Sequence, residues 1–161
     1  MIEQALDALF KGQRFILAPQ QQYEDLGCTH FWQRRTFNTN RAAALLSAPG
    51  VTDLEEHCQQ LKWKIIARTF YIPFLYPLGL QMVVAGDELL SRAKIGPSVV
   101  DIIDNQRVVL QGVFVVDTKE KKFRYWSSPG LYLTSRLHKA MAAAIAGCGF
   151  EEIEASRMMS Q

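Results

Sequence analysis

Three strand-like runs in the second half of the chain constrain its fold more than any other feature. They are Val99 to Ile103, Arg107 to Val116 and Lys122 to Trp126. Only short polar segments separate these runs, namely Asp104-Asn105 and Asp117 to Lys121. Short polar connections between such runs are typical of antiparallel hairpins. We therefore expect an antiparallel sheet, with a bulge at Gly112 in its middle strand.

Helical patterns lie at both ends of the chain. The segment from Ile2 to Phe10 places its apolar residues on one helical face, and Gly12 is positioned to end the helix. After Pro129-Gly130, a stripe of apolar residues predicts a last helix from Leu131 to about Ala146. The outer face of this helix is expected to carry Arg136, His138 and Lys139.

The segment between these regions mixes helical and strand patterns. Asn38 to Asn40 can cap the Ala- and Leu-rich run that follows, so residues 41–48 are expected to form a helix. Thr52 with Glu55 matches a capping box that opens a further helix through about Leu61. The next run, Lys62 to Ile72, is rich in β-branched and aromatic residues and predicts a strand. Shorter elements are expected at Phe15 to Leu17 (strand), Leu80 to Ala85 (strand) and Asp87 to Ala93 (helix).

These elements predict one α+β domain covering residues 1–161. Its antiparallel sheet should have about four to six strands, with the N-terminal helices and the C-terminal helix packed on one face. No internal repeat, low-complexity segment or long linker marks a domain boundary. A chain of 161 residues, 48% of them apolar, is sufficient for one hydrophobic core.

The charge distribution argues against a nucleic-acid partner. Eighteen Lys and Arg against sixteen Asp and Glu give a net charge of +2 and a pI near 8.5. A nucleic-acid-binding domain usually shows a larger basic excess or a basic stripe. The basic cluster at Arg34, Arg35 and Arg41 is short, and we interpret it as a solvated face.

The cysteines and the apolar segments bear on the cellular location. Cys28, Cys58 and Cys148 are odd in number, far apart and without a CxxC pair, as expected for reduced, mostly buried thiols. The amino-terminal segment lacks the cationic and apolar regions of a secretory signal. The most apolar stretch, Ile72 to Gly86, is shorter than the roughly 20 residues that span a bilayer. We therefore expect a cytoplasmic protein without a membrane span.

One acidic pattern points to a particular chemistry. Asp101 or Asp104 precedes the central hairpin, and Asp117 and Lys119 follow its apolar strand. Over roughly 20 residues this layout resembles the PD-(D/E)XK nuclease family. The resemblance implies a metal-dependent nuclease in which carboxylates hold Mg²⁺ and the lysine polarises the attacking water, with Asp101, Asp117 and Lys119 as catalytic residues. Asp-x-Lys at a strand end is also typical of a solvated turn.

An apolar segment that contains two prolines is the second candidate site. Pro73 and Pro77 cannot donate to a β ladder, so Ile72 to Leu80 should form a loop, and loops normally lie on the surface. An exposed apolar loop is typical of a surface that binds a partner. Its candidate contact residues are Phe74, Leu75, Tyr76 and Leu78.

These patterns support three functional hypotheses. The leading one is a non-catalytic domain that binds another protein through this loop and needs no cofactor, like an adaptor, immunity or chaperone-like protein. The alternatives are the nuclease-like domain and a small-ligand sensor whose pocket lies between the sheet and the helices. The sequence is compatible with a monomer or a small homo-oligomer.

Overall fold

A mixed β-sheet organises the chain. The computed structural model of the protein describes residues 1–36, 40–48, 50–68, 78–101, 109–128 and 132–153. Over these residues seven strands follow one another across the sheet: β1 Ile16–Leu17, β2 Cys28–Arg35, β3 Asn40–Ser47, β4 Leu78–Gly86, β5 Val109–Asp117, β6 Lys122–Ser127 and β7 Glu151–Glu152. The described helices are α1 Ile2–Gly12, α2 Leu54–Arg68, α3 Leu89–Arg92 and α4 Tyr132–Gly147.

The direction of each strand follows from its connection. The pairs β1–β2, β2–β3 and β5–β6 are antiparallel, whereas β3–β4, β4–β5 and β6–β7 are parallel. Parallel neighbours need a crossover connection, which α2 supplies between β3 and β4. The predicted α+β class is confirmed. The predicted antiparallel sheet of four to six strands is wrong, because the sheet is mixed and has seven strands over the described residues.

Helices cover both faces of the sheet, so the prediction that they pack on one face is also wrong. Alternate residues of β4 point to opposite faces and separate two cores. Leu80 and Met82 pack in the core beneath α2, whereas Val83 packs in the core beneath α1 and α4. The helical residues of the first core include Leu54, Cys58, Leu61 and Ile65, and those of the second include Leu6, Phe10, Met141 and Ile145.

Of residues 41–48, predicted as a helix, residues 41–47 lie in β3 instead. The five residues from Ala42 to Leu46 are each at most 3% exposed, so this strand is buried on both faces. Such a strand has a continuous apolar run, which periodicity cannot distinguish from a buried helix. Pairing with β2 and β4 therefore overrides the helical propensity of Ala and Leu.

The strand predicted from Lys62 is wrong where the structure describes it. The helix α2 continues to Arg68, and residues 69–77 lie outside the described residues. The buried side chains of α2 recur at helical spacing; they are Leu54, Cys58, Leu61, Lys62 and Ile65. β-branched residues locally prefer strands, but burial of this stripe against the sheet stabilises the helix more than that preference opposes it.

The central hairpin and its bulge are confirmed. β5 and β6 pair antiparallel along the length of β6. Between β4 and β5 the register shifts after Leu80, which leaves Gln111 as an extra residue beside Gly112. This bulge lies where the glycine predicted it.

Most of the remaining predicted elements agree with the structure. The helices at the two ends are α1 and α4, the short helix after β4 is α3, and residues 80–85 lie within β4. Val99, expected to start a strand, ends the 3-10 turn Pro97–Val99, and residues 102–108 lie outside the described residues.

No helix in the described ranges has both the length and the apolar character needed to cross a membrane.

Candidate functional site

The structure places Asp101 and Asp117 near opposite ends of β5. The Oδ2 atom of Asp101 accepts a hydrogen bond from the backbone N–H of Leu110 at 2.7 Å. Asp117 ends the same strand seven residues after Leu110. At a rise of about 3.3 Å per residue, the backbone of Leu110 and that of Asp117 are about 23 Å apart. The two carboxylates are therefore not brought together, and Asp104 lies outside the described residues. This geometry gives the nuclease hypothesis no support.

Asp117 is a buried carboxylate that joins two segments of backbone. It has no exposed surface, and its oxygens accept hydrogen bonds at 2.9–3.3 Å from the backbone N–H groups of Glu88, Leu90, Lys119 and Glu120. Burial alone would raise the pKa of Asp117, but the four backbone donors outweigh burial and hold the pKa below its usual range. The carboxylate thereby fixes the start of α3 against the turn between β5 and β6.

Lys119 and Asp101 each take part in an ion pair. The Nζ atom of Lys119 pairs with the carboxylate of Glu88 at the surface, which raises the pKa of Lys119 and lowers that of Glu88. The Nζ atom of Lys62 lies 3.0 Å from both carboxylate oxygens of Asp101. Within the part of the chain that the structure describes, no three His, Cys, Asp or Glu side chains are grouped as metal ligands.

Of the predicted apolar loop Ile72 to Leu80, the structure describes only the residues from Leu78 onward. Phe74, Leu75 and Tyr76 lie outside the described residues, so protein binding through them stays a hypothesis. Leu78 was expected in the exposed loop, but it is the first residue of β4, is 1% exposed and packs in the core beneath α2. It offers no surface to a partner, because the strand begins two residues earlier than predicted and turns this side chain inward.

The cysteines are packing residues. Cys28 and Cys58 are buried free thiols, and Cys148 is a half-buried one. Burial raises the pKa of both Cys28 and Cys58 to about 12, so neither is a thiolate at neutral pH. This agrees with the expectation of reduced, mostly buried thiols and gives no support to a cysteine nucleophile.

A cavity of about 740 Å³ opens at the carboxyl ends of β3 and β4. The ends of these strands, the start of α1 and the turns that follow β4 and β5 form its walls. We call it the carboxyl-end cleft. Its apolar lining comprises Met1, Ile2, Leu45, Leu46, Ala85 and Phe150. Its polar lining comprises Glu3, Thr29, Ser47, Asp87, Arg92, Thr118 and Lys121.

Two cationic side chains, two carboxylates and the amino-terminal ammonium of Met1 line the cleft. Asp87 accepts a hydrogen bond from the hydroxyl of Thr118, and Glu3 accepts one from the amino group of Met1 at 3.1 Å. Arg92 lies 4.0 Å from Glu88 at the rim, and the Nζ atom of Lys121 lies 4.8 Å from the ring centroid of Phe150. Lys121 therefore lies against the apolar lining, whereas Arg92 also donates a hydrogen bond to the backbone carbonyl of Asp87 at 3.2 Å.

A second polar group lies between the sheet and α4. His138 is 2% exposed, with its Nδ1 atom 2.8 Å from Oγ of Ser127 and its Nε2 atom 2.5 Å from Oε1 of Gln81. The side-chain amide of Gln81 donates to Oε1 of Gln111 at 2.9 Å. We call these four residues the Ser127 cluster. It lies near the beginning of β4, whereas the carboxyl-end cleft lies at the end of that strand.

Two glycines leave room for the Ser127 cluster. A Cβ atom on Gly112 would lie 2.5 Å from both Oε1 of Gln81 and Nε2 of His138. A Cβ atom on Gly79 would lie 2.7 Å from the side-chain amide of Gln111. Any other residue at Gly112 would therefore displace the pair of side chains that face it.

Sequence reasoning placed His138 on the outer face of the last helix, and this was wrong. The residue lies one turn before Met141 and two turns before Ile145, both of which are fully buried. The spacing i, i+3, i+7 places all three side chains on the same helical face. This periodicity could have identified His138 as a buried histidine, but nothing local indicates its contacts with β4 and β6.

Comparisons of the chain with protein-family models, with curated proteins and with solved structures give no significant match. The carboxyl-end cleft and the Ser127 cluster therefore carry the functional argument.

Proposed function

We propose that the protein binds a small amphipathic anion, an organic carboxylate or sulfonate with an apolar body, in the carboxyl-end cleft. The observation that carries this proposal is that Arg92 and Lys121 both line a cleft that also has an apolar lining. The small-ligand sensor hypothesis expects a pocket between the sheet and the helices, whereas this proposal uses the cleft at the strand ends.

The position of the cleft supports this function. In sheets with parallel strands and crossover helices, ligands commonly bind beyond the carboxyl ends of the strands, where the connecting loops diverge. β3, β4 and β5 are mutually parallel, and the chain leaves β3 and β4 at the edge where the cleft opens. Its volume of about 740 Å³ lies within the range typical of small-molecule sites.

The lining selects the chemical class of the ligand. An apolar body would bury surface against Leu45, Ala85 and Phe150. The carboxylates of the cleft already accept hydrogen bonds. An anionic group would pair with the ammonium of Lys121 or with the guanidinium of Arg92, which has five N–H donors and uses one of them for the backbone carbonyl of Asp87. A cationic ligand would have to compete with these internal partners.

Asp117 pre-organises the two cations. Its carboxylate binds the N–H groups of Glu88 and Leu90, which lie just before Arg92, and also those of Lys119 and Glu120, which lie just before Lys121. One buried side chain therefore fixes both segments that carry the cations. Fixing a binding surface before the ligand arrives lowers the entropy cost of binding.

Titration with 8-anilinonaphthalene-1-sulfonate tests the proposal, because this probe has an apolar aromatic body and one anionic group. Calorimetry and fluorescence should report one site whose affinity falls as ionic strength rises. Arg92→Gln and Lys121→Gln should each weaken binding about tenfold, which corresponds to about 1.4 kcal/mol. Hexanoate or phenylacetate should displace the probe.

Lys139→Gln is the matched control, since Lys139 is exposed on α4 and does not line the cleft. It removes the same charge and should leave the affinity unchanged. Equal affinities for wild type, Arg92→Gln and Lys121→Gln would overturn the proposal, as would equal affinity for the uncharged N-phenyl-1-naphthylamine.

A further inference from the structure

We propose that Ser127 is a nucleophile for acyl transfer, with His138 as its general base and Gln81 as the residue that positions His138. The substrates would be small esters or thioesters. This activity is independent of ligand binding in the carboxyl-end cleft, because the cluster contacts β4 at Gln81, in the first half of the strand, whereas the cleft is lined by Ala85 and Gly86 at its end.

The solvent exposure of Ser127 and the burial of His138 are those expected of a nucleophile and its general base. Ser127 is exposed at the end of β6, whereas His138 beside it is 2% exposed. The 2.8 Å separation of Oγ and Nδ1 is within hydrogen-bond reach, the geometry that a base needs to take the proton of a hydroxyl. A substrate can therefore reach the hydroxyl from solvent while the imidazole stays enclosed.

The amide chain beneath His138 determines which ring nitrogen carries hydrogen. The side-chain NH₂ of Gln81 donates to Gln111, so the carbonyl oxygen of Gln81 faces Nε2 of His138. An oxygen acceptor at 2.5 Å requires the hydrogen on Nε2. The lone pair of Nδ1 then points at Ser127 and accepts the hydrogen of its hydroxyl.

The surroundings favour an uncharged acyl group as substrate. The side chains hydrogen-bonded in the cluster are a hydroxyl, an imidazole and two amides, with no formal charge among them when the imidazole is neutral. Burial lowers the pKa of His138 to about 4, so the ring is neutral at pH 7. Tyr125, two residues before Ser127 on the same face of β6, stacks on Phe114 at 4.7 Å and adds an apolar surface.

The reaction balances without a further reactant except water. Oγ of Ser127 attacks the acyl carbon while its proton moves to Nδ1 of His138. The bond between the acyl carbon and the leaving group then breaks, at the oxygen of an ester or at the sulfur of a thioester. The leaving alcohol or thiol takes the proton from His138. Water then attacks the acyl-serine ester by the same route, which releases the carboxylic acid and restores the serine hydroxyl.

Labelling with a fluorophosphonate probe tests the nucleophile directly. The expected result is one phosphonyl adduct per chain, mapped to Ser127 by peptide mass spectrometry. Ser127→Ala should abolish labelling, and His138→Gln should slow it at least about 100-fold. The same protein should release a burst of nitrophenolate from p-nitrophenyl acetate, with one equivalent per chain.

Ser98 provides a matched control within the same molecule. It is also exposed, but its Oγ donates to Oε1 of Glu55 at 2.9 Å and has no imidazole partner. Ser127 should react at least about 100-fold faster than Ser98 in the wild-type chain. This comparison needs no variant, so it decides the question even if His138→Gln does not fold. Equal labelling of the two serines, or no labelling, would overturn the proposal.

The role of Gln81 is tested by two substitutions with opposite expected effects. Gln81→Leu removes the acceptor of Nε2–H and should slow labelling at least about tenfold. Gln81→Glu keeps an acceptor and supplies a charge that stabilises the imidazolium, so labelling should equal or exceed the wild-type rate. A merely structural role would make both variants slower, since the glutamate also buries a charge.

Discussion

The ammonium group of Lys62 lies 3.0 Å from both carboxylate oxygens of Asp101, and this ion pair joins α2 to a carboxylate that is hydrogen-bonded to the start of β5. The side chains are 7% and 19% exposed, and Asp101 also accepts hydrogen bonds from Gln59 and from the backbone of Leu110. The pair therefore anchors the crossover helix to the sheet from within the protein.

Lys62→Met should lower the free energy of unfolding by about 3 kcal/mol, because it leaves the Asp101 carboxylate largely buried without its cation. Urea denaturation at pH 7 measures this loss. Lys64→Met, on the exposed side of the same helix, is the control and should change stability by less than about 0.5 kcal/mol. Equal effects of the two substitutions would show that the ion pair does not anchor α2.

Asp117→Asn should be strongly destabilising, by about 2–4 kcal/mol, because an amide cannot accept all four backbone hydrogen bonds that the buried carboxylate accepts. A nuclease carboxylate at the end of a strand would instead tolerate this change with little effect on the melting temperature. Glu120→Gln is the control, since Glu120 is an exposed residue in the same turn. Thermal and urea denaturation of both variants distinguish a structural carboxylate from a catalytic one.

Local sequence patterns predicted the elements whose partners are close in the chain. β5 and β6 were predicted because the turn that joins them is short and polar, and the bulge was predicted because Gly112 interrupts an apolar strand. The end helices were predicted because each has its own apolar stripe. In each case the pattern within one segment was sufficient.

The wrong predictions concern residues whose environment is set by distant segments. Residues 41–48 form a strand because β2 and β4 pair on both sides, and no pattern within the Ala- and Leu-rich run reveals those neighbours. The burial of Asp117 also depends on distant segments, because two of its donors, Glu88 and Leu90, lie 29 and 27 residues away. The contact of His138 with Gln81 spans 57 residues, so sequence reasoning could find the helix but not the cluster.

The stability of the protein should fall between pH 7 and pH 5 because of His138. Burial lowers its pKa to about 4 in the folded state, so the unfolded chain, with an ordinary histidine pKa near 6.5, binds the proton first. The contribution of His138 to the free energy of unfolding is therefore fully present above about pH 6.5 and is lost as the pH falls toward 4. The loss between pH 7 and pH 5 is about 2 kcal/mol. Urea denaturation at the two pH values measures the difference.

His138→Gln should remove most of this pH dependence, although it lowers stability at both pH values by disturbing the Ser127 cluster. His30→Gln is the control for loss of a histidine outside the Ser127 cluster, since His30 lies in β2 and stacks on Trp32. A His138→Gln protein with the full wild-type difference would place the titrating group elsewhere.

Gly112→Ala should cost about 2–3 kcal/mol, because its new Cβ atom would lie 2.5 Å from the imidazole of His138, a rigid ring held on α4. Gly79→Ala introduces a contact of 2.7 Å, but with the end of the flexible Gln111 side chain, so it should cost less. Gly147→Ala meets no atom within 4 Å and should change stability by less than about 0.5 kcal/mol. Urea denaturation of the three variants should give this order of losses, and a Gly112→Ala protein as stable as Gly147→Ala would show that His138 can move away from the sheet.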